Sequence, residues 1–361
     1  MTKILHLYPE INITCGVSKS IFSIVTNTNE IYENYVFCIG GDGIDKYKRA
    51  GINIVFFPEN KRGLFQTLKI FFTLFYFIRK QKIEIIHSHH RYFDLIAFII
   101  SKLISVRTIT SVQSKVYGKK HLSYKSEILV ACSSCIKEHL IKYFKIDPQK
   151  IKVIYNFVDL KDVRIQTEKS MLKRELGIDE NRVVIGFIGR FSIREKGVDV
   201  LLEAFRRISR EYANLKLIMI GDGDDKNYID NFITNNNINT ITLSPKENIY
   251  EYFNLIDIVV LPSRVEPFGI VAIEAGLMKK SLVASSVDGL KEIVDNGLNG
   301  ILFQSENVEF LTNSLRTLIQ ENNLRIRLGE ELYKKVMINY TSDIIIPLYK
   351  ETYQRLMKNH R

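Results

Sequence analysis

The sequence predicts an α/β protein made of two tandem units, each a parallel sheet wrapped by helices. Three observations carry that expectation. Short apolar runs alternate with longer helical patterns along nearly the whole chain. The alternation stops in a polar stretch near residues 159–180 and then restarts. The length of 361 residues suits two domains, at about 150 residues each.

Taken in order, strand-length apolar runs of the first half fall at residues 3–7, 35–39, 52–57, 84–87, 107–112, 128–131 and 152–155. Segment 61–82 crowds Leu64, Phe65, Leu68, Phe71, Phe72 and Phe75 between Lys61-Arg62 and Arg79-Lys80. That pattern fits a helix lying in a lipid interface or one packed on the sheet, and the second is the preferred reading. The break contains Lys161, Asp162, Arg164, Gln166, Thr167, Glu168, Lys169 and Ser170, with no strand character. The second half resumes with runs at 183–188, 215–220, 240–243, 257–261, 282–284 and 300–303. Between the first two, residues 198–209 place Leu201, Leu202, Phe205 and Ile208 on one helical face. Each half opens with a strand, a glycine-containing turn and a helix. The expected division is a first domain over 1–165, a second over 166–340 and a terminal segment over 341–361. Two such units imply a cleft, with ligands held at the carboxyl ends of the strands.

Composition narrows the classes. With 46% hydrophobic and 25% charged residues, the chain is neither disordered nor fibrous. The net charge of +11 is lopsided: residues 1–165 hold 25 Lys+Arg and 13 Asp+Glu (+12), the remainder 26 and 27 (−1). An anionic partner is therefore expected for the first half, a membrane surface rather than nucleic acid, for which no binding motif accompanies the charge. A plainly solvated Lys-rich surface is the bland alternative. The loop over 115–125, with Lys115, Lys119, Lys120, His121 and Lys125, is the preferred headgroup or acceptor contact. Four cysteines in so long a chain are no disulfide framework, and Cys132-Ser-Ser-Cys135 reads as small apolar residues ending a strand. No export signal or membrane span is read, so a cytoplasmic, soluble or peripheral protein is expected.

Three segments carry chemistry. Leu261-Pro-Ser-Arg-Val-Glu266-Pro-Phe268-Gly269-Ile270-Val-Ala-Ile-Glu274 follows a strand and opens a helix. Its first backbone N–H groups, from Phe268 through Gly269 to Ile270, are free to bind an anion. Glu274 sits in an almost wholly apolar helix, where a carboxylate is costly unless satisfied. Glu266 and Glu274 flanking an anion-binding helix end suit a ligand with hydroxyls on either side of a diphosphate; an ion-paired Glu274 and a solvated Glu266 suit the sequence equally. In Gly189-Arg190…Lys196-Gly197, two cations follow a buried strand and a glycine turn, placed to stabilise a departing diphosphate without a metal. Gly16, in the turn after the first strand, opens a helix whose N–H groups could meet a phosphate; the dinucleotide fingerprint is absent there. Asp222-Gly-Asp224 reads as a strand-end turn rather than a metal pair. His87-Ser-His89-His90 is read as no metal site, because neighbouring positions on a strand alternate faces; His89 keeps a candidate ligand role.

These residues resemble the GT-B glycosyltransferases, specifically the large retaining family numbered four. Glu266 and Glu274 match its E-x7-E motif, and Gly189-Arg190…Lys196-Gly197 its diphosphate frame. Gly221-Asp-Gly223, Asp257 before Leu261-Pro262-Ser263, and Asp288-Gly289…Glu292 follow in the family order. The resemblance implies two Rossmann-like domains facing across a cleft, with the terminal helix crossing back to the first. It implies a nucleoside diphosphate sugar donor, UDP rather than GDP, with no metal and no other cofactor. Glu274 would hold the ribose, Glu266 the sugar, and Arg190 with Lys196 the diphosphate, making Arg190, Lys196 and Glu266 the catalytic set. The amides of Phe268, Gly269, Ile270 and Gly16 would complete the anion site, and Leu243 would meet the base. Gln113 stands where relatives commonly carry a histidine; it and His89 are candidate sugar or acceptor contacts. A lipid-linked glycan acceptor at the inner membrane face, in O-antigen, lipopolysaccharide or capsule assembly, follows from the resemblance together with the charge. Rival readings are a GT-B sugar-nucleotide epimerase and a non-catalytic basic binding protein on a transferase scaffold.

Overall fold

A computed structural model describes residues 1–58 and 63–358; Lys61 and Arg62, the basic flank of the aromatic segment, lie outside the described residues. The chain divides into two compact units, residues 1–156 with 342–361, and residues 157–341.

The first unit runs β1 (Thr2–Leu7), α1 (Gly16–Thr26), β2 (Tyr32–Cys38), α2 (Ile44–Arg49), β3 (Asn53–Phe56), α3 (Leu64–Gln81) and β4 (Ile85–Ser88). It continues through α4 (Arg91–Leu103), β5 (Arg107–Val112), β6 (Ile128–Ala131), α5 (Ser134–Lys142) and β7 (Ile151–Val153). Its described strands form one parallel sheet ordered β3-β2-β1-β4-β5-β6-β7. Alternation of strands with helices allows parallel pairing, because each return needs a crossover. Burial on both faces explains why an inner strand such as β6 reads as a continuous apolar run rather than an alternating one. Ile70, Leu74 and Ile78, one helical turn apart, bury α3 against Leu5, Leu7 and Phe37, so α3 packs on the sheet.

The second unit runs α6 (Lys169–Glu175), β8 (Val183–Ile188), α7 (Ile193–Lys196), α8 (Val198–Ile208), β9 (Leu215–Ile220), α9 (Lys226–Asn236) and β10 (Thr240–Leu243). Then come α10 (Ile249–Leu255), β11 (Ile258–Leu261), α11 (Ile270–Leu277), β12 (Ser281–Ser285), α12 (Leu290–Ile293), β13 (Ile301–Phe303), α13 (Val308–Gln320) and α14 (Asn322–Asn339). The described strands form a parallel sheet ordered β10-β9-β8-β11-β12-β13. Leu201, Leu202, Phe205 and Ile208 of α8 are fully buried in its core. Each such side chain contributes about 1.5–3 kcal/mol on burial, and Phe205→Ala would cost about 3–5 kcal/mol.

The last helix, α15 (Ser342–Lys358), belongs to the first unit. The Tyr32 hydroxyl donates to the Lys350 carbonyl at 3.3 Å, and Lys152 pairs with Glu351 at 2.9 Å. The division falls between Asn156 and Phe157, not between 165 and 166. Phe157 and Val158 are buried, and the Val158 amide donates to the Tyr340 carbonyl at 2.9 Å, which commits the segment to the second unit before its polar run begins. No helix among the described residues is long and apolar enough to cross a membrane.

Candidate functional site

In the second sheet the chain leaves β8 for β9 on one side and later places β11 on the other. Connections from these two neighbours run opposite ways, so the loops after them open a crevice at the strand carboxyl ends. Those loops are stitched together. The amides of Arg264 and Val265 donate to the Glu195 carbonyl at 2.8 and 3.1 Å. The Arg264 guanidinium grips both Asp199 oxygens at 2.8 and 2.9 Å and donates through Nε to Glu306 at 2.7 Å. Gly197, at φ 62°, ends α7 so close to β11 that a Cβ there would lie 2.1 Å from the Pro262 carbonyl oxygen. Only glycine satisfies both demands.

On this frame sit the charges. Lys196 Nζ donates to Glu266 Oε2 at 2.7 Å, and Ser263 Oγ donates to the same oxygen at 3.0 Å. The Glu266 amide donates to Asp288 Oδ2 at 3.2 Å, and its carbonyl accepts from the Gly289 amide at 3.0 Å. Glu266 is thus held at both backbone and side chain while only 9% exposed, the condition under which a buried carboxylate stays tolerable. Arg190 projects into solvent, its guanidinium 3.3 Å from Glu195 Oε2, an exposed contact that holds it weakly.

Gly269, at φ 112°, turns the chain into α11. Phe268, Gly269 and Ile270 therefore stand at the helix start. An anion is favoured at such an end. Glu274 lies within α11 and is 5% exposed; the Tyr250 phenol is pushed up, first by burial and then by the Glu274 charge. Leu243 ends β10, its carbonyl accepting from the Gly221 amide at 2.9 Å. The structure thus joins Lys196 to Glu266 directly and links Arg190 to them through Glu195. The Asp222-Gly-Asp224 turn packs on the same frame: the Asp222 carbonyl accepts from Phe191 at 2.9 Å.

Gly16, His89 and Gln113 belong to the first unit. Gly16 opens α1 without a side-chain cap, and Gln113 follows β5 half-buried. Here the histidine reading needs correction. His87 and His89 are two residues apart, not neighbours, so they share a face, and their rings lie 4.0 Å apart. His6, paired with His87 in the β1–β4 register, joins them. The three rings are buried and offer nitrogens within 4.8 Å of one another. Hydrogen bonds occupy most of those nitrogens. His6 Nε2 donates to Asn34 Oδ1 at 3.3 Å, so His6 Nδ1 accepts from His89 Nε2 at 3.1 Å. His87 meets Ser111 Oγ at 2.8 Å and the Tyr353 hydroxyl at 2.7 Å, leaving it no spare lone pair for a metal. Burial holds His6 down to about 4 against a partial offset from Asn34. Burial and then neighbouring imidazoles hold His87 and His89 well below the ordinary range. His89 Nδ1 remains a buried lone pair without a protein partner.

Sequence reasoning missed Ser263, the amide-holding role of Asp288, and the Arg264–Asp199 clasp. Arg264 stood inside the chosen motif, but its partner lies 65 residues earlier, so no local pattern announced the pair. The His6 contribution was equally remote, 83 residues from His89.

Two family models match the chain: Glycosyltransferase Family 4 over residues 16–162 and Glycosyl transferases group 1 over residues 168–335. An uncharacterized glycosyltransferase of Methanocaldococcus jannaschii, MJ1607, is 28% identical over 238 residues, covering 64% of this chain and 60% of that relative. The capsular polysaccharide biosynthesis glycosyltransferase CapM of Staphylococcus aureus is 25% identical over 318 residues, covering 82% and 83%. Among solved structures, Anabaena Alr3699/HepE in complex with UDP-glucose superposes with a TM-score of 0.87 at 19% identity, covering 98% and 100%.

Proposed function

Since this chain belongs to the group 1, family 4-like glycosyltransferases and has their GT-B fold of two parallel-sheet α/β domains, we propose that its second unit binds a nucleoside diphosphate sugar, a UDP-sugar in the first instance. The observation that carries this reading is the Lys196–Glu266–Ser263 group, fixed at the crevice beside the start of α11. In it a cation and a sugar-binding carboxylate are pre-organised side by side. The diphosphate lies on the amides of Phe268–Ile270 and against Lys196 and Arg190. Arg190, exposed and weakly held, can swing to fork two phosphate oxygens. Glu266 accepts from sugar hydroxyls, Glu274 from the ribose, and the base rests by Leu243. That HepE shares this fold while holding UDP-glucose supports the donor class.

The transfer breaks the bond between the anomeric carbon and the diphosphate oxygen. Charge builds on the diphosphate, where Arg190, Lys196 and the helix-end amides meet it, a stabilisation in which no metal takes part. The acceptor hydroxyl adds to the same face of the oxocarbenium-like sugar, giving retention, and its proton leaves to a diphosphate oxygen. Glu266, already bonded by Lys196 and Ser263, is a positioning carboxylate and not the base. The first unit receives the acceptor, a lipid-linked glycan of a bacterial surface polysaccharide at the inner membrane face. Gln113, half-buried after β5, is suited to bind a sugar or acceptor hydroxyl. The likeness to CapM, a capsular polysaccharide biosynthesis glycosyltransferase, supports the polysaccharide part of this reading.

The test is a panel of nucleotide sugars screened for thermal stabilisation with and without EDTA, then for transfer onto membrane lipid extract. One UDP-sugar should stabilise the protein, and Lys196→Ala or Glu266→Gln should cut transfer on the order of a hundredfold. If no nucleotide sugar is bound, or both variants transfer at the parental rate, the reading is wrong.

A further inference from the structure

Helix α3 buries one side and leaves the other bare. Ile70, Leu74 and Ile78 face the core. On the opposite side Phe65 is 81% exposed, Phe72 63% and Tyr76 67%, with Leu64 and Leu68 beside them. At 3.6 residues per turn, positions 65, 68, 72 and 76 form a stripe about 80° wide, centred opposite the buried positions. The neighbouring α4 adds exposed Ile99 and Leu103. Apolar side chains are seldom displayed together on this scale without a use.

The surrounding charge has a single sign. Between residues 63 and 103 the cations are Lys69, Arg79, Lys80, Lys82, Arg91 and Lys102, and the carboxylates are Glu84 and Asp94 alone. Asp94 is fully buried and bonded to Thr110 and Ser126. Glu84 is half-buried and accepts from the Lys3 amide at 3.1 Å. Four of these cations hold their charged heads over aromatic rings: Lys69 over Phe57, Arg79 over Phe75, Lys80 over Tyr76 and Lys102 over Phe98. Aromatic and aliphatic residues on one side, bordered by snorkelling Lys and Arg, suit the boundary between headgroups and acyl chains. A two-fold contact with a second copy would set these cations against one another.

We propose that the exposed face of α3, extended by Ile99 and Leu103 of α4, docks this protein on an anionic bilayer surface. This moves the membrane contact from the 115–125 loop to a helix with an apolar payload. It names the surface for the lipid-linked acceptor proposed above and rests on that part of the reading alone.

The experiment is co-sedimentation of the full chain with phosphatidylcholine vesicles, with and without about one-third phosphatidylglycerol, in the absence of donor and acceptor. The wild type should pellet with the anionic vesicles and release as salt rises. Phe65→Ser/Leu68→Ser/Phe72→Ser should lower partitioning on the order of tenfold or more. Lys69→Glu/Lys80→Glu should lower it by about fivefold for each cation lost. Unfolding temperature and circular dichroism establish that each variant is folded, and the exposed single change Phe72→Glu serves where the triple variant is not. The proposal is overturned if the wild type stays in the supernatant or a folded α3 variant pellets like the wild type. It is equally overturned if only Lys119→Glu/Lys120→Glu abolishes binding, or if the α3 changes dissolve a dimer that ignores vesicles. Because no sugar transfer is measured, a failed donor screen leaves this result intact.

Discussion

Acidification should loosen the first unit through its buried imidazoles, and His6 gives the size of the effect. Its folded-state value is about 4 against 6.5 when unfolded, because burial disfavours the cation and the Asn34 bond offsets only part of that. Below 6.5 the unfolded chain takes up a proton that the folded chain refuses until about 4. Stability from neutral His6 is therefore complete above 6.5, is lost as the pH falls from 6.5 to about 4, and changes no further below. Between about pH 7.5 and about pH 5, linkage sets the loss at about 2 kcal/mol for this one residue. His87 and His89 act in the same direction. The assay is urea unfolding of wild type and His6→Gln at both pH values, with the histidine rings followed by NMR titration. The wild type should lose about 2 kcal/mol more than the variant on acidification. If the two lose equally, or the His6 ring titrates near its ordinary value, the argument from burial fails.

Three further outcomes follow from the second unit. Gly197→Ala should destabilise by about 2 kcal/mol or more, since its φ of 62° and the Pro262 carbonyl both oppose a Cβ; thermal unfolding reads it. Arg264→Ala frees Asp199, Glu306 and the Ile193 carbonyl while keeping the backbone bonds to Glu195, and should weaken donor affinity about tenfold or more through mispositioning, seen by calorimetry as a larger Kd with secondary structure unchanged. Lys280, held down to about 8 by burial and then by Lys169, costs stability below that value, and the cost fades as the pH rises from about 8 to 10.5. Lys280→Met should accordingly gain about 2 kcal/mol near neutrality, an advantage that shrinks in denaturant melts as the pH rises from about 8 towards 10.5.

The parallel sheets were legible because their inner strands are buried on both faces, so residues such as 128–131 and 258–261 appear as unbroken apolar runs. The carboxylate pair and the Gly-Arg…Lys-Gly frame stand out in the sequence because each motif is local, and the structure brings Lys196 of one to Glu266 of the other. What escaped were contacts made by register and long return. Pairing of β1 with β4 brings His6 to His87, and a sheet order is not written in any one strand. The unit boundary escaped because Val158 is fixed by Tyr340 and Thr341 at the far end of the segment. On α3 the sequence showed ten apolar residues without saying which ones the sheet would claim; packing assigned Ile70, Leu74 and Ile78 inward and left Phe65 and Phe72 outside.

The return of α15 to the first sheet has a practical corollary for recombining such enzymes. Tyr353 reaches His87 on β4 and packs edge-on against Tyr32, so the amino-terminal lobe is finished by residues made after the whole of 157–341. A chimera that exchanges only residues 1–156 would mate one parent's sheet with the other parent's closing helix. Grafting 342–358 together with that lobe keeps the native seam, and a ribosome must likewise complete the inserted lobe before the outer one can shut.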